Sequence, residues 1–383
     1  MPFNPFAKLQ FYHIIYLMVM ILLMISVIAS YSLTGELWTP ILQDLAGFGI
    51  MIGVSFVDFR KINKWYKPAL FAAVGLLVCT VIFGRGGGGR TLSLGIISFQ
   101  TFYIVTIFFL FYLCTSLAIE INANQKLDDH RAVGRLVLFV ILTGLIAMRN
   151  ISTATLLFVS GSVIFYVAGV RLKYLGYMLL IIGIAGGIYI GGSAIHERNK
   201  TEQGVAQEVK TRGGTGYNRI KYWLTGESDV EGYGRQMTLA QTAIARSAGL
   251  PHPGKGIIKN KMPEGENDYV FSLICEELSV WAGIAIILID FIIFYNIILI
   301  SRKADGYFVK LFSMAIAMLF IGQTIIHIGT NTNLIPATGQ TLPFVSRGST
   351  ALFSTFVIFG ILINMGKSVQ KTVDADDDDL TIK

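Results

Sequence analysis

Residues 263–300 read PEGENDYVFSLICEELSVWAGIAIILIDFIIFYNIILI. From Ser279 to Ile300 the run holds one charged residue, Asp290. Its length matches the ~20 apolar residues a helix needs to cross a bilayer. Packed against its start are five carboxylates, Glu264, Glu266, Asp268, Glu276 and Glu277. An acid drawn to the bilayer centre costs roughly 2.5–3.5 kcal/mol on insertion scales, so these acids are expected to face a cavity, a partner charge or a substrate.

The oily pattern recurs along the chain. Apolar runs lie at Ile14–Leu33, Ile41–Val57, Pro68–Phe83, Thr101–Ile119, Leu136–Met148, Thr153–Val170, Tyr174–Gly192, Trp281–Ile300, Phe308–Ile328 and Thr350–Met365. With 53% hydrophobic and 14% charged residues among 383, and a mean hydropathy of +0.61, the composition excludes a soluble globular class. It predicts an all-α polytopic membrane protein with about ten transmembrane helices. The first run lacks a small-residue cleavage site and reads as a first helix rather than a removable leader.

The net charge of +7 would suggest nucleic acid in a soluble domain, but here the cations sit between apolar runs and set orientation, so no nucleic-acid partner is expected. Arg60, Lys61, Lys64 and Lys67, then Arg171 and Lys173, then Arg302 and Lys303 mark alternate loops, with Lys8, Lys367 and Lys371 near the ends. The positive-inside rule makes those loops and both termini cytoplasmic. The ten-span domain covers residues 1–371. Within it, residues 193–269 form a long extracytoplasmic loop, and residues 372–383, with the block DADDDD, form an acidic cytoplasmic tail expected to be disordered.

Several patterns invite other readings. GRGGGGRT at Gly84–Thr91 fits G-x-G-x-x-G in letters, but it joins two apolar helices instead of a strand and a helix, and reads as a flexible loop. Cys79, Cys114 and Cys275 fall in or beside apolar runs and read as buried small hydrophobes; the five histidines show no ligand spacing. Asp44, Asp290, Gln323 and His327 lie in or near spans, where helix–helix hydrogen bonding and a transporter's proton relay are both open readings.

In the long loop, Gln236, Ala240 and Ala243–Ala245 recur at helical spacing, predicting an amphipathic helix near the membrane surface. PHPGKG (Pro251–Gly256) then forces a turn, and Lys255, Lys259 and Lys261 follow, just before the acids. Cations and carboxylates thus meet at one bilayer boundary, within reach of a lipid headgroup.

Here the chain resembles the shape, elongation, division and sporulation (SEDS) family, whose familiar members are RodA, FtsW and SpoVE. The family pattern Leu-Pro-Glu, Asp-Phe-Ile-Phe-Ala and Glu-Glu-Leu-Gly is matched by Met262-Pro263-Glu264, Asp268-Tyr269-Val270-Phe271-Ser272 and Glu276-Glu277-Leu278-Ser279. A second signature, Thr-Gly-x-x-Leu-Pro-Phe-x-Ser-x-Gly, stands at Thr338–Gly348. Asn150–Ala154 resembles Asp-Leu-Gly-Thr-Ala, and Leu94–Gln100 resembles the Leu-Gly…Ser-Phe-Gln element. After Gln100 many members continue with Pro-Ser-Glu and a lysine; this chain has Thr101-Phe102-Tyr103 and no charged residue before Glu120.

The resemblance implies a peptidoglycan glycosyltransferase that polymerises lipid II at the outer face of the cytoplasmic membrane, for cell shape, elongation or division. The implied partners are lipid II, membrane lipids and a single-span class B penicillin-binding protein. Asp268 is the candidate base for the acceptor hydroxyl, with an N-cap role as its alternative. A lipid pyrophosphate leaving group calls for cations or a divalent metal such as Mg or Mn. Lys255, Lys259, Arg235, Arg212 and Arg219 are candidates to meet it, with Gln236, Glu264 and Ser346 as further substrate contacts. Ser346 also suits a turn role beside Pro343 and Gly348. Glu276 and Glu277, ~12 Å along a helix from Asp268, are expected to anchor backbone or loop cations. A precursor flippase and a non-catalytic scaffold of the cell-wall assembly complex remain the alternatives.

Overall fold

The computed structural model describes residues 10–84, 91–94, 97–124, 129–181, 183–184, 187, 192, 216–225, 233–249, 251–262 and 265–381. The chain runs through α1 (Phe11–Thr34), α2 (Trp38–Val54), the short α3 (Phe59–Ile62), α4 (Tyr66–Phe83), a hairpin of β1 (Thr91–Leu94) and β2 (Ile97–Gln100), then α5 (Thr101–Asn124), α6 (Asp129–Ala147) and α7 (Ile151–Val167). After α8 (Leu172–Ile181) come α9 (Gly216–Thr225), α10 (Tyr233–Ala245), α11 (Gly265–Asp268), α12 (Val270–Leu278), α13 (Val280–Lys303), α14 (Tyr307–Asn331) and α15 (Ser349–Thr381).

Among the described residues seven helices, α1, α4, α5, α6, α13, α14 and α15, are long and apolar enough to cross a membrane, which makes this a multi-pass membrane protein. Three shorter apolar helices, α2, α7 and α8, stand beside them, so seven of the expected ten or so spans meet that length among the described residues. The all-α expectation holds apart from the antiparallel hairpin, which pairs Thr91 with Gln100 and Leu94 with Ile97. Residues 85–90, the core of the glycine-rich stretch, lie outside the described residues. α15 continues through the acidic tail to Thr381. A helix already nucleated in the bundle extends by one hydrogen bond per residue at no further nucleation cost. Cys114 and Cys275 are buried as expected, whereas Cys79 is exposed on α4.

Lipid gives helices no hydrophobic reason to associate, so close packing holds the bundle together. Small residues create the contacts. A Cβ at Gly47 of α2 would collide with the Phe356 ring of α15, and one at Gly360 of α15 would sit 2.7 Å from the Met51 carbonyl of α2. Phe344, in the loop between α14 and α15, adopts φ +60, a left-handed conformation rare outside glycine. Its ring is fully packed against Phe356 and Phe359, with centroids 5.3 and 4.8 Å away, which offsets the strain and fixes the second signature stretch on the bundle.

The opening stretch folds as three helices rather than one span with a capped start. Val270 to Glu277 are buried on every side of α12, which packs on α1, α10, α13 and α14. Ser279 ends α12 with φ 85 and ψ 156, a region essentially reserved for glycine and costing on the order of 1–3 kcal/mol for serine. The matched family pattern has glycine there. The sharp break turns α12 away from the axis of α13, so its two glutamates meet the long loop instead of hydrocarbon. The predicted amphipathic helix is α10, which buries Ala240 and Ala243 with Ile258, Met262, Tyr269 and Leu273 in a second small core.

Candidate active site

Glu277 is fully buried and has five partners. Its Oε2 accepts from Ser32 Oγ at 2.6 Å and from the Gly254 amide at 2.5 Å; its Oε1 accepts from the Gly256 amide at 3.1 Å and pairs with Lys259 Nζ at 3.0 Å. Its carbonyl accepts from the His252 amide at 2.9 Å. Glu276 binds the next turn of the loop, accepting from the Ile257 and Ile258 amides at 3.1 and 3.2 Å and from Arg246 Nε at 3.1 Å. The two neighbouring acids therefore clasp the PHPGKGIIK segment onto α12. Buried carboxylates persist this way because every lone pair meets an N–H, an O–H or a cation.

Asp268 closes α11, half-buried. The cap position of α12 belongs to Tyr269, so Asp268 is not the N-cap of that helix. Its peptide is held from α14. Asn331 Nδ2 donates to the Asp268 carbonyl at 3.2 Å, and Asn331 Oδ1 accepts from the Ser272 amide at 2.9 Å. One turn earlier, His327 Nε2 accepts from the Phe271 amide at 3.4 Å, which leaves Nδ1 as the donor to the Gln340 carbonyl at 2.7 Å and fixes the neutral tautomer. From the second signature stretch, Ser346 Oγ donates to the Asn267 carbonyl at 2.8 Å while accepting from the Leu342 amide at 2.8 Å. The two motifs thus converge on the backbone at Asn267 and Asp268.

Beside them opens a polar cleft of about 310 Å³ lined by Leu33, Lys259, Met262, Gly265, Glu266, Asn267 and Leu273. It combines a cation, a carboxylate and an amide, a donor and acceptor set that suits a sugar or a phosphate ester. A second cavity is different in character, with Tyr103, Thr153 and Gln323 set among aliphatic and aromatic side chains. Among the described residues no group of three His, Cys, Asp or Glu side chains could cage a metal.

The remaining candidates are dispersed. Lys255 is exposed on the clasped loop, and Arg235 is exposed on α10 beside half-buried Gln236. Lys259 is not the free cation expected: Glu277 and the Ser32 carbonyl, at 2.6 Å, hold its ammonium at the cleft wall. Ser346 is likewise withdrawn from substrate, buried with both hydroxyl functions used internally. Arg219, on α9, donates to the Ala337 carbonyl at 3.2 Å and props the loop that leads into the second motif. Pro343 is buried in the Leu342–Ser346 turn, and the Gly348 carbonyl starts α15 by accepting from Leu352. Arg212 and Glu264 lie outside the described residues.

Residues passed over or read otherwise in the sequence carry much of the geometry. Glu266 lines the cleft. Asn331 and His327 form an i, i+4 pair on one face of α14, and that spacing in HIGTN was the available signal. Asp44 is engaged by Arg347 of the second motif at 2.9 Å, and Asp290 accepts from Thr324 at 2.9 Å. Asp44, Asp290 and His327 thus each take a partner other than one another.

The sequence matches the FtsW, RodA and SpoVE family model, described as cell cycle protein, over residues 6–371. Among curated relatives, the probable peptidoglycan glycosyltransferase FtsW of Trichlorobacter lovleyi is 24% identical, with 96% of this chain and 96% of that protein covered. Stage V sporulation protein E of Bacillus subtilis is 25% identical, with 84% and 85% covered. Among solved structures, a chain of a peptidoglycan synthase complex, reported for its coordination of polymerization and crosslinking, superposes with a TM-score of 0.71 at 18% identity over 93% of this chain and 97% of that one. The rod shape determining protein RodA of Thermus thermophilus superposes with a TM-score of 0.63 at 15% identity over 92% and 95%. These two likenesses bear on the fold.

Proposed function

The chain belongs to the FtsW, RodA and SpoVE family of cell cycle proteins, and on that premise we infer that it is a peptidoglycan glycosyltransferase, polymerising lipid II into glycan strands. The observation that carries the site is the meeting of the two signature stretches, where Ser346 of the second binds the Asn267 carbonyl and Asn331 of α14 binds the Asp268 carbonyl beside it. Glu276 and Glu277 are committed to the loop, and the Asp268 carboxylate, the aspartate of the matched motif, is assigned as the base.

In the reaction, Asp268 takes the proton of the acceptor hydroxyl as its oxygen attacks the anomeric carbon of the donor sugar. A C–O bond forms, the bond to the lipid pyrophosphate breaks, and the electron pair leaves with the pyrophosphate. Lys255 and Arg235 supply positive charge toward that group, and the cleft wall of Lys259, Glu266 and Asn267 orients the sugars. A divalent cation would neutralise the leaving pyrophosphate; Glu266 with the substrate's own phosphates would hold it, as one or two carboxylates suffice for Mg²⁺ on a phosphate ligand.

Purified protein mixed with lipid II and a single-span class B penicillin-binding protein is expected to yield glycan strands, and a chelator is expected to suppress them. Lipid II consumed without strand formation, or moved across vesicles, would overturn the reading in favour of a flippase; full activity in chelator would assign charge neutralisation to the cations alone. The reaction is placed on the extracytoplasmic side, with both termini cytoplasmic. A reporter fused after Lys371 is therefore expected inside and a cysteine introduced at position 208 is expected to label from outside. Labelling only after permeabilisation would reverse that orientation.

A further inference from the structure

We propose that Tyr103 is a positioning residue for the reaction at Asp268, acting through Gln340 and His327. The inference rests on the glycosyltransferase reading above and adds a residue to its machinery. Tyr103 stands near the start of α5, 9% exposed, and donates its hydroxyl to Gln340 Oε1 at 2.8 Å, with Thr341 Oγ1 at 3.3 Å. Gln340, 2% exposed, is bonded in three directions: its Oε1 to α5, its Nε2 to Thr153 Oγ1 of α7 at 3.2 Å, and its carbonyl to His327 of α14. His327 hands the line on to the Phe271 amide, in the first turn after Asp268.

Four separate elements thus meet in a line that ends on the Phe271 amide, three residues after the Asp268 peptide. Asn331 fixes that peptide from the same face of α14. Every link is neutral. Tyrosine, glutamine and a neutral imidazole hold the geometry without the desolvation cost that a charged pair would carry beside hydrocarbon. Such a network, once fully paired, sets side-chain position tightly, and small misplacements of a reacting group cost rate rather than binding.

Tyr103→Phe removes only the hydroxyl. In lipid II polymerisation with the partner transpeptidase present, kcat is expected to fall about tenfold, the scale of one buried hydrogen bond, while KM and the melting temperature stay near wild type. In a Gln340→Leu background, where the line is already cut, Tyr103→Phe should add no further loss. A kcat within twofold of wild type overturns the proposal. So does a loss explained by unfolding, a rise in KM at constant kcat, or a multiplicative loss in the double variant. Wild type and Asp268→Asn are assayed alongside. Active wild type, inactive Asp268→Asn and unimpaired Tyr103→Phe sink this inference alone, whereas wild type without polymer sinks the underlying reading with it.

Discussion

Asp268→Asn is expected to abolish strand synthesis, with a rate loss on the order of 10²–10⁴-fold, while leaving folding and membrane insertion intact. Asparagine preserves the volume of the side chain but cannot accept the proton. Asn331 binds the backbone carbonyl of this residue, and that bond survives the change. A cap role would predict a small effect, because asparagine caps as well as aspartate, and the structure gives the cap position to Tyr269 in any case. Product length on gels and the melting temperature in detergent check both halves. An asparagine variant that polymerises near the wild-type rate would remove Asp268 from the chemistry and bring the flippase and scaffold readings forward.

Glu277→Ala is expected to be the most destabilising single change in the site, at roughly 3–5 kcal/mol, the usual cost of deleting one partner of a buried ion pair. It leaves the Lys259 ammonium without its counter-charge, the Gly256 amide unpaired and the Gly254 amide on Ser32 Oγ alone. The loop should detach from α12, and Cys275, 1% exposed in α12, should become reactive to a thiol reagent well below the melting temperature of the wild type. Glu277→Gln is expected to fall between the two. Adding Lys259→Met to Glu277→Gln should recover part of the loss, since the orphaned cation goes with it. A protected Cys275 and an unshifted melting curve in Glu277→Ala would show that the clasp does not hold the site together.

Much of the site was legible before any coordinates. The PEGEND stretch singled out Asp268, the alanine spacing located α10, and the prolines and glycines of PHPGKG marked the turn that Glu276 and Glu277 hold. Cations were less legible. Lys259 and Arg219 read as free charges near a headgroup, yet each is engaged by a carbonyl or carboxylate from a distant segment. Ser346 read as a substrate contact and a turn residue, and only the second role fits its buried hydroxyl. Sequence spacing says that a polar side chain exists at a position; it does not say which backbone group lies within 3 Å of it.

That difference separates what the sequence by itself determined about this protein from what the tertiary structure decided. The spans follow from the sequence alone because crossing a bilayer is a local condition, met or failed within about twenty consecutive residues whatever the rest of the chain does. The break at Ser279, the seven long helices beside three short ones, and the partners of every buried acid follow from packing. Glu277 finds Ser32 across 245 residues, Asp44 finds Arg347 across 303, and Asn331 reaches the Asp268 peptide across 63. A buried polar group must take whichever donor or acceptor the folded bundle brings within hydrogen-bond distance, so its role is set by the helices that surround it rather than by its neighbours in the chain.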